Sequence, residues 1–148
     1  MNWTAISAIG GLVQSAVVVA SLWYVIVQLR QNTKAMIANS LQEILESDIG
    51  LISDYMRHGV DPHFIGDDAE LSPEAERLFL WQIVKTIKIR EYAWHQLRAG
   101  TLDEDSWDTY MAPISGIFAT KRARAVLDFY SGSPEFMRFM RDQVANVL

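Results

Sequence analysis

The sequence predicts an all-α fold, with one N-terminal transmembrane helix continuing into a cytosolic helical bundle of about four helices. Three observations lead there. No side chain between Met1 and Leu29 is charged, and all 31 charged residues lie beyond that stretch. From Ile37 onward, apolar residues recur at steps of three and four, which is the period of amphipathic helices. No segment alternates apolar and polar residues between turn signals, as a half-buried strand would. The predicted organisation is a transmembrane helix over residues 1–29 and a cytosolic α-helical domain over residues 30–148.

The first element is the apolar stretch Ala5–Leu29. At about 1.5 Å per residue it reaches about 37 Å, more than the roughly 30 Å of a bilayer core. Ser7, Gln14, Ser15, Ser21 and Gln28 are polar but uncharged, and a helix that satisfies its own backbone tolerates them. Trp3 at one end, with Trp23 and Tyr24 near the other, suits the two headgroup belts. A cleaved signal peptide would carry a basic first region, which Met1–Thr4 lacks. A helix lying flat in the interface would need a charged face. Arg30 and Lys34 flank the carboxyl end, so the bias of basic residues toward the cytoplasm puts the amino terminus outside and the rest inside. These residues, Trp3, Trp23, Tyr24, Arg30 and Lys34, are the expected interfacial anchors. Ser7, Gly11 and Ser15 recur every four residues and form a small-residue face on which another membrane helix can pack closely.

No Pro interrupts the chain after Leu29, so one helix is expected from about residue 4 to 57. Its apolar stripe holds Ile37, Leu41, Ile44, Leu45, Ile49, Ile52, Tyr55 and Met56. Gly59 is the expected left-handed cap, with Pro62 just beyond. Residues 59–72 read as a loop. Ser72-Pro73-Glu74 then opens a second helix, because Ser caps, Pro fits the first turn and acids suit the positive end of the helix dipole. That helix runs to about Ala99, with Gly100 as its stop. Leu102-Asp103-Glu104-Asp105 begins the next, and Pro113 breaks it. Ala119 to Tyr130 reads as a short basic helix. Ser133-Pro134-Glu135 opens the last, with Phe136, Phe139, Met140, Val144 and Val147 on one face. The aromatics Phe79, Trp81, Tyr92, Trp94, Trp107, Phe118, Phe129, Phe136 and Phe139 are expected to form the shared core.

Composition excludes several classes of function. A chain of 148 residues is one ordinary domain, and a net charge of −5 suits no general nucleic-acid binder. The absence of cysteine excludes disulfide scaffolds and thiolate zinc sites. No phosphate-binding Gly loop, nucleophile elbow or HExxH occurs. No residue is assigned a catalytic role, and no metal or cofactor is implied. His58, Asp61, His63, Asp67 and Asp68 bring ligand chemistry to one loop, but at spacings that match no dedicated metal site, and solvated loop groups are the expectation. Lys121, Arg122 and Arg124 form a short basic run that reads as a solvated helix face, or as a contact to acidic headgroups.

Asp48, Arg90 and Glu91 project into apolar arcs, where a charge is costly unless paired. An Asp48–Arg90 or Lys88–Glu91 pair that fixes the register of two helices is one reading. A polar pocket in which Arg90, Glu91 and His95 bind a small ligand is another, and charges that are simply solvated are the third.

The opening Met1-Asn-Trp-Thr-Ala-Ile-Ser-Ala-Ile-Gly10, the exit motif Tyr24-Val-Ile-Val-Gln28-Leu-Arg30-Gln-Asn32-Thr33, and the run Glu91-Tyr92-x-Trp94-x-Gln96-x-Arg98-x-Gly100-x-Leu102-Asp103-Glu104-x-x-Trp107 resemble a widespread group of small uncharacterised bacterial single-span membrane proteins. Ser133-Pro134-Glu135-Phe136 fits the same pattern. The resemblance implies a bacterial cytoplasmic (inner) membrane location, and it supplies no activity. The expected function is therefore a non-enzymatic, membrane-anchored interaction protein, an accessory subunit or scaffold. Its expected partners are the lipid bilayer and either a membrane protein or further copies of itself. A ligand sensor or a homo-oligomeric pore is the alternative.

Overall fold

The structure, a computed structural model, describes residues 3–145, with side chains described outside residues 4–9 and 12. Among the described residues the regular elements are all helices: α1 Trp3–His58, α2 Pro73–Arg98, α3 Glu104–Met111, α4 Ile114–Ile117, α5 Lys121–Phe129 and α6 Pro134–Ala145. Internal contacts divide the chain into two units, Met1–Asn39 and Ser40–Leu148. The Ser7 side chain and Val147 lie outside the described residues.

In the first unit the side chains from Val13 to Ile26 are exposed all the way round. Several of its polar groups close their hydrogen bonds on the helix itself. The Ser15 hydroxyl donates to the Gly11 carbonyl at 2.9 Å, and Ser21 donates to Val17 at 2.8 Å. Thr33 donates to Leu29 at 3.0 Å, and the Gln28 amide donates to the Tyr24 hydroxyl at 3.0 Å. This one-turn-back bonding is the usual way for Ser and Thr to satisfy themselves within a helix.

The second unit is built by its caps. Ser72 accepts from the Ala75 amide at 3.2 Å and opens α2. Asp103 accepts from Ser106 at 2.8 Å and opens α3, and Thr120 accepts from Ala123 at 3.2 Å and opens α5. Gly59 and Gly100 end α1 and α2 with φ of 64° and 73°, a left-handed turn that a Cβ resists. Pro113 separates α3 from the single turn of α4, as expected of a residue without an amide hydrogen.

The main core joins Phe79, Ile83 and Ile87 of α2 to Ile114, Ile117 and Phe118, to Ala123, Val126 and Leu127, and to Phe136, Met140 and Val144. A second cluster holds Ile44 of α1, Ala93 of α2, Leu102, Trp107 and Tyr110. A third, smaller one is Leu51, Tyr55 and Ile89. Each fully buried large side chain contributes roughly 1.5–3 kcal/mol of transfer free energy.

Two expectations need correction. The aromatic core is smaller than expected. Trp81 is 65% exposed, Phe129 57% and Tyr92 38%. Trp81 sits two residues from Phe79, which turns it about 200° away from the buried arc at 100° per residue. The α1 stripe is divided as well: Ile44 and Tyr55 are buried, while Leu45, Ile49, Ile52 and Met56 face outward. The stripe is wider than one neighbouring helix covers.

Candidate functional site

The most organised polar feature is a series of bonds between α1 and α2. Ser40 donates to the Gln96 side chain at 3.1 Å, and the Tyr92 hydroxyl donates to Glu43. Arg90 donates to Asp48 at 2.7 Å, Tyr55 and Thr86 share a bond at 3.1 Å, and Lys85 donates to Asp54 at 2.6 Å. From Ser40–Gln96 to Tyr55–Thr86 the residue numbers climb along α1 and fall along α2, so this part of α1 runs antiparallel to α2. The Lys85 ammonium bonded to Asp54 holds that carboxyl below its ordinary value. Glu43 beside it, together with partial burial, pushes the Tyr92 hydroxyl up. Burial also raises Tyr55.

Arg90 is the pivot of the series, because its side chain is only 4% exposed and its partner Asp48 22%. A buried charge of this kind is tolerable only with its partner in place. Arg90 and Asp48 also line a small concavity of 150 Å³ with Leu51, Tyr55, His63 and Ile117.

Glu91, one residue along α2, faces elsewhere. Its carboxylate accepts from the Tyr130 hydroxyl at 2.8 Å, the Ser133 amide at 2.5 Å and Lys88 at 3.3 Å. Burial pushes the Glu91 carboxyl up, but the three donors outweigh it and bring the group below its ordinary value. Burial lifts Tyr130 to about 12. Gly132 permits this approach. A Cβ there would lie 2.8 Å from Tyr130, 3.0 Å from Glu91 and 3.1 Å from the Met137 sulfur. Glu91 therefore fastens the link between α5 and α6.

His95 stands in a third place. Its ring meets the edge of Trp94, and it lines an open surface groove with Arg98, Pro134, Glu135 and Arg138. Arg90, Glu91 and His95 face different neighbours: Arg90 faces α1, Glu91 the α5–α6 link and His95 a groove at the start of α6. Of the two expected pairs, the structure contains both, Asp48–Arg90 and Lys88–Glu91.

The loop residues are dispersed in the same way. Asp61 pairs with His63 at 2.8 Å. Asp67 accepts from the Lys121 and Arg122 amides at 2.9 and 3.0 Å, and these bonds lower its carboxyl. It thus acts as a cap for α5, a role that no local motif announces. Two of the three residues in the basic run turn inward. Arg122 donates to the Ala69 carbonyl at 2.9 Å, and Arg124 donates to those of Phe118 and Ala119 at 2.9 and 2.7 Å. The expectation of a free basic face is corrected accordingly: these guanidinium groups satisfy carbonyls of the 118–119 turn and the loop.

Sequence reading missed Tyr92, Lys85, Gln96, Tyr130 and Ser133 as partners. Each meets its partner across 31 to 56 residues, beyond the reach of any spacing rule. Compared with known proteins, no family model, no curated protein and no solved structure matches the chain.

Proposed function

We propose that this chain is a membrane-anchored helical interaction protein, an accessory subunit or scaffold of a membrane assembly, working without catalysis. Residues 1–29 are its transmembrane helix, and residues 30–148 form a cytosolic bundle of about four helices. One observation carries the reading. The apolar part of α1 is long enough to cross a bilayer, and no side chain from Val13 to Ile26 is buried. A core helix of a soluble domain would be covered. Leaving this much apolar surface in water is costly, and lipid removes the cost. The inward bonds of Ser15 and Ser21 support the same reading, since lipid offers their hydroxyls no partner.

Trp3, Trp23 and Tyr24 are exposed and free to settle at the two interfaces. Arg30 and Lys34 set the orientation, with the amino terminus outside the cytoplasmic membrane of a bacterium. The rest of the chain supports an interaction role in that its strongest polar groups are spent on holding helices together. Asp48 and Arg90 fix α2 on α1, and Glu91 fixes the α5–α6 link. Nucleic acid is not a partner of this acidic chain.

Carbonate washing of membranes from expressing cells tests the anchor, and the protein is expected to stay in the pellet. Cysteines introduced singly at Asn2 and Asp142, treated with an impermeant maleimide on intact cells, test orientation. Labelling at position 2 alone is expected; release by carbonate, or labelling at 142, overturns the anchor or its direction.

A further inference from the structure

We propose that the outward edge of α1 between Leu45 and Met56, with Phe64 beside it, is the surface on which a second copy of this chain docks. This inference rests on the membrane-anchored reading and adds to it the identity of one partner. Leu45, Ile49, Ile52 and Met56 follow one another at intervals of four, three and four. At 100° per residue they project within about 60° of one another. None belongs to the three core clusters, and their exposure runs from 48% to 82%. Phe64 is 87% exposed, and a groove of 530 Å³ lined by Ile52, Met56 and Phe64 joins it to the helix edge.

Together these five side chains form an exposed apolar patch, and the largest such patch on a protein, about 300–600 Å², is often functional. Each partner in a stable interface contributes about 800 Å², so this patch with its polar rim is one side of such an interface. The occupant follows from the pattern. Intervals of four and three are those of paired helices, in which each side chain enters a gap between side chains of a facing row. A second copy brings an identical row, and a two-fold axis sets the two rows against each other. Copies anchored in one bilayer share one direction of insertion and one plane, which raises their effective concentration.

Charge permits the pairing of like with like. Identical surfaces repel if they carry unpaired charge of one sign. The carboxylate nearest the row, Asp48, about 70° from its centre, is already paired within the chain with Arg90. Glu46, about 90° from the row centre, stands at the rim of the strip and not on it.

The chain has no cysteine, so single cysteines report cleanly. Leu45→Cys, Ile49→Cys, Ile52→Cys and Met56→Cys are introduced one at a time into the full-length protein. Glu46→Cys, Ser53→Cys and Arg57→Cys, also on α1 and exposed, are the controls. Mild oxidation in isolated membranes is expected to give disulfide-linked dimer at the first four, at least about tenfold above the controls, because a disulfide needs Cα atoms within about 7 Å. Equal yields at both sets overturn the proposal. So does protection of the row from maleimide without any linked dimer, which would mean that lipid or a different protein covers it. Ile49→Glu provides a second measurement: it should abolish the linked dimer at Ile52→Cys with unchanged helicity, since position 49 lies outside the core. Carbonate pellets are scored in the same samples. Linked dimer in the soluble fraction would remove the anchor and keep the dimer, and pelleted protein without linkage would remove the dimer alone.

Discussion

Arg90 reaches Asp48 at 2.7 Å from the opposite helix, with its own side chain almost wholly enclosed. The pair joins residues 42 positions apart and lies midway along the bonds between α1 and α2. Removing either member leaves the other charge poorly solvated.

Arg90→Ala is expected to destabilise the protein by about 3–5 kcal/mol, as breaking a buried pair does. Asp48→Asn keeps an amide oxygen that can accept from Arg90 but removes the charge that balances the enclosed guanidinium, so it too is expected to destabilise the protein. The double variant Asp48→Leu with Arg90→Met should recover most of the loss, because no orphan charge remains. Urea denaturation of the detergent-solubilised protein, monitored by circular dichroism, measures all three. An unaltered midpoint for Arg90→Ala would sink the role assigned to the pair.

Gln82 is 5% exposed, and neither polar atom of its amide finds a hydrogen-bond partner among the described residues. A buried amide without partners is a net burden on the fold. Gln82→Met, similar in shape, is expected to raise stability by about 1 kcal/mol. The same denaturation experiment reads the shift, and a lower midpoint would count against it.

Gly132→Ala places a methyl group among Tyr130, Glu91 and Met137, at distances from 2.8 to 3.1 Å. Overpacking of this kind costs about 1–3 kcal/mol. The expected result is a lower melting temperature together with weaker protection of the Ser133 amide in hydrogen exchange, since that amide loses its close acceptor. Loss of stability without the local exchange effect would point to another cause.

The pH dependence of stability has a defined sign. The folded carboxyl of Glu91 lies below its ordinary 4.5. Its contribution is therefore complete above pH 4.5 and fades as pH falls below that value through the folded one. At the other extreme, Tyr130 shifts from 10.0 to about 12 when folded, so stability declines as pH rises between those two values. Glu91→Gln should flatten the acid limb, and Tyr130→Phe the alkaline limb. Thermal melts across pH 3–12 compare the variants with the parent.

What the sequence made legible was local. Ser72, Asp103 and Thr120 each open a helix with a partner three residues on, and Pro113 breaks a helix by its own chemistry. Ser72 and Asp103 could be read from neighbouring letters, whereas the Thr120 cap fell inside a helix expected to begin at Ala119. The division of the α1 stripe could not be read, because periodicity gives the width of an apolar arc and not how much of it a neighbour covers. Nor could the fate of the basic run, since Arg124 turns toward Phe118 and Ala119 only once α4 has ended beside it. For Arg90 and Glu91 the sequence identified two charges aimed into an apolar arc. Adjacent positions on a helix diverge by about 100°, which is why they serve different neighbours instead of one pocket.

Asp67 holds two amides of α5, and Arg122 holds the Ala69 carbonyl in return. The stretch between α1 and α2 is therefore sewn down near its middle instead of swinging free from its ends. To a protease it offers two short bights in place of one long accessible strand. Cleavage, which requires several consecutive residues to unbend into an extended shape, is expected to be slowest across Asp67–Ala69 for as long as Asp67 keeps its grip.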